Sequence, residues 1–135
     1  MTLPLLFVSA VALMDPQRRV LLAQRPAGKD MAGLWEFPGG KIGPKETSEG
    51  ALVRELREEL ALIVQETDLI PLTFASHAYE AFQLFMPLFL CRVWQGEPTA
   101  MEGQTLMWAG ADEIDQYAMP PADIGLKEAV KKALV

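Results

Sequence analysis

The sequence predicts a mixed β-sheet covered on both faces by helices, an α/β (α+β) arrangement, and three observations lead there. Short apolar runs of strand length precede, separate and follow two helical stretches, residues 47–61 and 122–134. Glycine and proline turns punctuate the runs at Asp15-Pro16, Gly39-Gly40, Gly96-Glu97-Pro98 and Pro120-Pro121. No internal repeat, low-complexity segment or linker divides the chain, so residues 1–135 read as one domain.

Taken in order, residues 3–14 are rich in Leu and Val and form the first strand. Residues 19–24 resume as a strand after Asp15-Pro16, so the two are expected to pair as a hairpin. Residues 25–33 form a polar loop long enough to border a site, and residues 34–38 (LWEFP) deliver the chain to the glycine pair. The first helix starts at Thr47 or Ser48, either of which can cap it, and Ala51, Leu52, Val53, Leu56 and Leu60 form its core-facing stripe. Further strands are expected over residues 70–74, over 83–94 with an interruption near Pro87, and over 106–109. Residues 112–117 suit one or two helical turns, and residues 122–134 the closing helix.

Composition narrows the function. Half of the 135 residues are apolar and 22% are charged, as in ordinary globular proteins. A net charge of −6 argues against a broad nucleic-acid or anionic-membrane surface. Cys91, the single cysteine, allows no intrachain disulfide and reads as a buried strand thiol in a reducing compartment. Residues 3–14 fall short of the roughly 20 residues needed to cross a bilayer. No basic residue precedes them, so they read as a core strand of a cytoplasmic protein. His77 is the only histidine, which leaves a Ser-His-Asp or Cys-His mechanism almost unsupported; a surface or pocket-edge position is expected for it.

One stretch breaks a local rule. Glu55, Glu58 and Glu59 stand at i, i+3 and i+4, so their carboxylates share a helix face, with Cβ atoms of the close pairs about 5–6 Å apart. Such like-charge pairs destabilise a helix by a few tenths of a kcal/mol each, and the C-terminal end of the macrodipole disfavours them further. A cluster of hard oxygen ligands points to a divalent cation, whereas in isolation the same row would be a solvated face.

Gly40, Glu46, Arg54-Glu55-Leu56, Glu58-Glu59 and Leu62 match, at fixed spacing, the Nudix box of the Nudix hydrolase superfamily. One position departs: Ala61 stands where the pattern has a glycine that ends the helix, a substitution worth up to about 1 kcal/mol or a shifted helix end. The likeness covers most of the chain. LLAQRPAGKDMAGLWEFPGG, the GEP…MEGQ segment and MPPAD resemble MutT-type enzymes in order and spacing. Two neighbours within that branch are similar: the 8-oxo-dGTP diphosphatases and the bacterial CTP pyrophosphohydrolases.

The resemblance implies a Nudix fold and an Mg²⁺-dependent hydrolase, with Mn²⁺ as a substitute, acting on a nucleoside triphosphate. Water attacks the β-phosphorus in this class, releasing a nucleoside monophosphate and pyrophosphate. The implied metal ligands are Glu55, Glu58, Glu59, the Gly39 carbonyl and Glu102, the last of these equally well a surface residue. Glu55 matches the residue that activates water, and Arg54 orients the carboxylates, Glu46 included. Arg25 and Lys41 are phosphate or nucleotide contacts, with a plain surface charge as the alternative for Lys41. Phe37 and Asp123 match positions that line the base pocket.

MutT carries Asn at the position of Asp123, and an ionised Asp only accepts hydrogen bonds where an amide also donates. It would take donors from a cytosine amino group or from guanine N1–H and its amino group; protonated, it imitates Asn. By the resemblance, damaged-nucleotide removal with 8-oxo-dGTP as substrate is the first expectation. CTP, dCTP or an oxidised cytosine nucleotide is the alternative. A non-catalytic nucleotide-binding module fits less well, because all the box carboxylates are present. Tyr79 lies roughly where some dinucleoside polyphosphate hydrolases carry a tyrosine, a weak cue. No nucleic-acid polymer or membrane is expected as a partner, and the protein would be a monomer or homodimer. Trp35, Trp94 and Trp108 read as core rather than base-stacking residues, while Met31 and Leu34 suit either the pocket or an exposed loop.

Overall fold

The computed structural model describes residues 3–135. Its elements run β1 (Leu5–Leu13), β2 (Val20–Gln24), β3 (Trp35–Glu36), β4 (Gly39–Lys41), α1 (Ser48–Leu60), β5 (Ile70–Ala78), β6 (Gln83–Cys91), β7 (Thr105–Ala109), α2 (Pro121–Ile124) and α3 (Lys127–Leu134). Short 3-10 turns occupy Glu66–Asp68 and Ile114–Gln116. The expected mixed sheet is present, in strand order β4-β1-β6-β5, with β1 and β6 parallel. A second sheet, β3-β2-β7, is antiparallel throughout.

The expected hairpin between β1 and β2 does not form. The Asp15 turn is there, with the Asp15 N–H donating to the Arg19 carbonyl, but only Met14 and Val20 bridge across it. Both edges of β1 are already taken, by β4 and by β6, so β2 diverges to found the second sheet. Alternate residues of β1 fall in different halves of the core. Val11 and Leu13 pack with Leu52, Leu56 and Leu60 of α1, whereas Ala10 and Ala12 share a cluster with Val130 and Leu134 of α3. The sheets are thus covered by helices on both sides, and each fully buried leucine contributes about 1.5–3 kcal/mol.

Three other boundaries differ from expectation. β6 runs through Pro87 unbroken. The missing proline N–H shows instead as a gap in pairing with β1, between Phe7↔Phe85 and Ala10↔Leu88. β5 extends to Ala78, four residues beyond the expected end, because it pairs along β6 as far as Gln83. The closing helix is two pieces: the Leu126 N–H bonds to the Asp123 carbonyl, three residues back, which tightens the turn at Gly125.

Cys91 is fully buried, donates to the Val93 carbonyl and has its thiol pushed up by burial, as a structural strand cysteine should. Trp94 and Trp108 stack on each other at 6.1 Å against the α1 side of the core, and Trp35 packs edge-on against Tyr117. No helix among the described residues is long and apolar enough to cross a membrane.

Candidate active site

Helix α1 is fastened at both ends. Thr47 is the cap, its Oγ1 accepting the Gly50 N–H at 2.9 Å, which settles the choice between Thr47 and Ser48. At the other end Ala61 adopts φ 57° and ψ 32°, the left-handed conformation that favours glycine. The helix end is therefore not shifted; the substituted residue takes up the strained geometry itself. The loop after Pro98 then satisfies the terminal carbonyls. Thr99 N–H donates to Leu60 O, while Met101 N–H and Gln104 Nε2 both donate to Glu59 O. Gln104 Oε1 in turn accepts the Glu102 N–H, so the loop that caps the helix also delivers Glu102 to it.

The carboxylate row is divided by Arg54. Its guanidinium grips Glu46 through Nε–Oε2 at 2.7 Å and Nη2–Oε1 at 2.8 Å, and reaches Glu55 at 2.9 Å and Glu58 at 3.2 Å. Nη2 also donates to the Lys41 carbonyl, tying the helix to β4. The Arg54 grip and the Gly43 N–H hold Glu46 down to about 2, and Glu46 and Glu55 raise Arg54 above its ordinary value. Glu58 remains 56% exposed on the far side of Arg54.

Both glycines of the pair are required by close approach. A Cβ on Gly39 would lie 2.0 Å from the Ser9 carbonyl of the neighbouring strand. On Gly40 it would lie 2.3 Å from Glu55 Cδ, so the absence of a side chain lets the Glu55 carboxyl rest against β4.

Glu55 and Glu59 line a cavity of about 460 Å³ with Glu36, Glu102, Gln104, Gly40, Arg25, Lys29 and Lys41. Glu59 is pushed up to about 8, first by burial and then by the charges of Glu55, Glu102 and Glu36. A second cavity of about 410 Å³ shares Arg25, Glu36, Gly40 and Lys41 with the first. It continues past Leu6, Val8, Tyr79, Phe82, Leu84 and Met86 to Asp123. The two are halves of one cleft, an acidic half with a rim of cations and an apolar half ending on a carboxyl group.

Most residues singled out in the sequence meet here, with four qualifications. Arg54 lines neither cavity and reaches the cleft only through its bond to Glu55. Glu58 does not line the cleft. Phe37 is 3% exposed and its ring belongs to the core; it bears on the apolar half only through its backbone N–H, which donates to Asp123 Oδ2 at 3.1 Å. Gly39 contributes backbone in β4 without lining either cavity. Arg25 is braced by Glu36, at 3.0 Å, and by the Asp30 carbonyl. Met31 lines the apolar half, Leu34 does not, and His77 sits edge-on to Tyr79 at 4.5 Å.

Sequence reasoning missed Glu36, Lys29 and Gln104. Glu36 is buried enough to be raised despite Arg25 beside it, and the signal was its place within LWEFP, three residues before β4 begins. Gln104 was visible in the EGQ segment, though its bond to the helix end was not.

The NUDIX domain family model matches residues 9–129, and the chain belongs to the Nudix hydrolases. Among its relatives is the CTP pyrophosphohydrolase of Escherichia coli (strain K12), 43% identical over 120 residues, covering 87% of this chain and 86% of that protein. The 8-oxo-dGTP diphosphatase of Proteus vulgaris is 38% identical over 98 residues, 73% of this chain and 86% of its own. The solution structure of the E. coli ORF135 protein superposes with a TM-score of 0.81 at 37% identity, covering 94% of this chain and 89% of that one. MutT from fish-pathogen and cholera vibrios also reaches 0.81, at 27% identity and 96% and 98% coverage.

Nudix hydrolases use divalent metal ions, and the donor set here fits one. Glu36, Glu55, Glu59 and Glu102 bring hard oxygens to one cavity, and a cation's charge would offset the burial and mutual repulsion that push Glu59 up. Among the described residues no three His, Cys, Asp or Glu side chains already stand gathered as a metal-holding group; Arg54 draws Glu55 and Glu58 to itself.

Proposed function

We propose that this Nudix hydrolase is an Mg²⁺-dependent nucleoside triphosphate pyrophosphohydrolase. Glu55 and Glu59 hold the metal, Glu102 and the backbone at Gly39 assist, and Mn²⁺ can substitute. The bound ion would neutralise phosphate oxygens and polarise the phosphorus under attack. In this reading Glu55 takes the proton of the attacking water, with Arg54 fixing its rotamer. Lys41, Lys29 and Arg25 take the phosphate chain from the rim of the acidic half. Glu58 serves through Arg54 rather than by direct contact with substrate. The products are a nucleoside monophosphate and pyrophosphate, and the physiological task is removal of unwanted nucleotides from the pool.

For the base, the observation that carries the reading is Asp123. It is 5% exposed, ends the apolar half of the cleft, and burial pushes it up to about 7. A protonated Asp123 donates and accepts side by side, which complements cytosine N3 and the 4-amino group. The relative named CTP pyrophosphohydrolase supports the same choice. Ionised, Asp123 offers two acceptors to guanine N1–H and its 2-amino group, and the relatives named 8-oxo-dGTP diphosphatase support that second reading. Steady-state kinetics on dCTP, 5-hydroxy-dCTP, dGTP and 8-oxo-dGTP decide between them. A higher kcat/KM for the cytosine pair is expected, and a preference for 8-oxo-dGTP would reverse the assignment.

A further inference from the structure

The segment that carries Asp123 has a weak start. Helix α2 is four residues long, begins on Pro120-Pro121, and has no side-chain cap from its own N-cap residue. The first free donor of that turn is the Ala122 N–H, and it is met from another element. Tyr79, just past the end of β5, accepts it on its hydroxyl at 3.2 Å. On the far side the Asp123 carboxyl is held by the Phe37 N–H. Asp123 is therefore bracketed from both sheets, by Tyr79 beyond β5 and by Phe37 beyond β3.

The Tyr79 ring is itself immobilised. It packs edge-on to His77 at 4.5 Å and tilted on Phe82 at 5.1 Å, and its N–H closes the turn onto the Phe82 carbonyl. Tyr79, Phe82 and Asp123 all line the apolar half of the cleft. Because the phenol oxygen accepts from Ala122, its proton remains available to donate into the half of the cleft that Asp123 also lines.

We propose that Tyr79 is a specificity-determining positioning residue, whose hydroxyl fixes the α2 turn so that Asp123 meets the base in one orientation. The inference rests on the reading of this half of the cleft as the base pocket. It makes base selectivity depend on a hydrogen bond between the β5–β6 turn and α2, at a distance from the acidic half. A loosened turn would leave hydrolysis possible but blur the choice of base, since a carboxyl group free to rotate pairs with either kind of edge.

The test is Tyr79→Phe, which removes the hydroxyl and keeps the ring. Kinetics on dCTP and dUTP, which differ at the edge Asp123 would read, give the ratio of kcat/KM for the two bases. The expected result is a loss of about tenfold in that ratio, carried by KM for dCTP, with faster amide exchange at Ala122. An unchanged ratio would overturn the proposal, as would an equal fall in kcat for both nucleotides, the sign of a merely structural role. A wild-type protein that turns over nucleotides without distinguishing the bases would overturn the base-pocket reading itself, and this proposal with it.

Discussion

Arg54 and Glu46 form a two-pronged ion pair, Nε to Oε2 at 2.7 Å and Nη2 to Oε1 at 2.8 Å, across eight residues of sequence. The pair joins the loop before α1 to the second turn of that helix. The same guanidinium also touches Glu55, so the orientation of a carboxylate in the cleft depends on a bond made outside it. Planar bidentate geometry is something an ammonium group cannot reproduce.

Arg54→Lys should therefore lower kcat about 10- to 100-fold and weaken divalent-ion affinity, while KM for the nucleotide moves much less. Acid unfolding supplies a second readout. Glu46 is held at about 2 against 4.5 when free, so its stabilising contribution is present above 4.5 and lost as pH falls toward 2. The variant should show a shallower loss of stability across that window.

Gly39→Ala and Gly40→Ala should fail differently. The first drives a Cβ into the Ser9 backbone, which cannot yield, and should unfold readily or express poorly. The second collides with the Glu55 carboxyl, a side-chain end that can move. It should keep its melting temperature within a few degrees and lose about 10²-fold or more in kcat. Thermal melts beside steady-state rates separate the two.

Glu59 gives stability an unusual pH dependence. Its pKa is raised from 4.5 to about 8, so the contribution is fully present below 4.5 and lost as pH rises to 8. In a chelator, Glu59→Gln should melt with the wild type near pH 5 and a few degrees above it at pH 8.5. Adding Mg²⁺ should raise the wild-type melting temperature at pH 8.5 and leave the variant nearly unmoved.

Ala61→Gly should stabilise the protein by about 1 kcal/mol, because Ala61 sits at φ 57°. Urea unfolding should show a higher midpoint with an unchanged slope, and kcat should stay the same.

How much of this was legible depended on whether spacing or tertiary contact carried the information. The helix, its cap to within one residue and the carboxylate row follow from residue order alone, because these signals are local. That Glu58 leaves the cleft did not follow; its direction is set by Arg54, which a periodicity argument cannot rank against a metal. The hairpin expected between β1 and β2 was the natural local reading of two apolar runs and a turn. It fails because β1 takes a parallel partner, β6, from 78 residues later, counted from Leu5 to Gln83. Asp123 was singled out by resemblance, but its hold on Phe37 spans 86 residues and its tether to Tyr79 passes through the backbone of a neighbour. Neither leaves a pattern in the sequence.

The most direct test of the account is to quantify pyrophosphate released from dCTP in Mg²⁺ by the wild type and by Glu59→Gln. The wild type should release one pyrophosphate per dCMP, and none when the metal is chelated, while the variant should lose about 10²- to 10⁴-fold. Full turnover by Glu59→Gln, or orthophosphate in place of pyrophosphate, would contradict it.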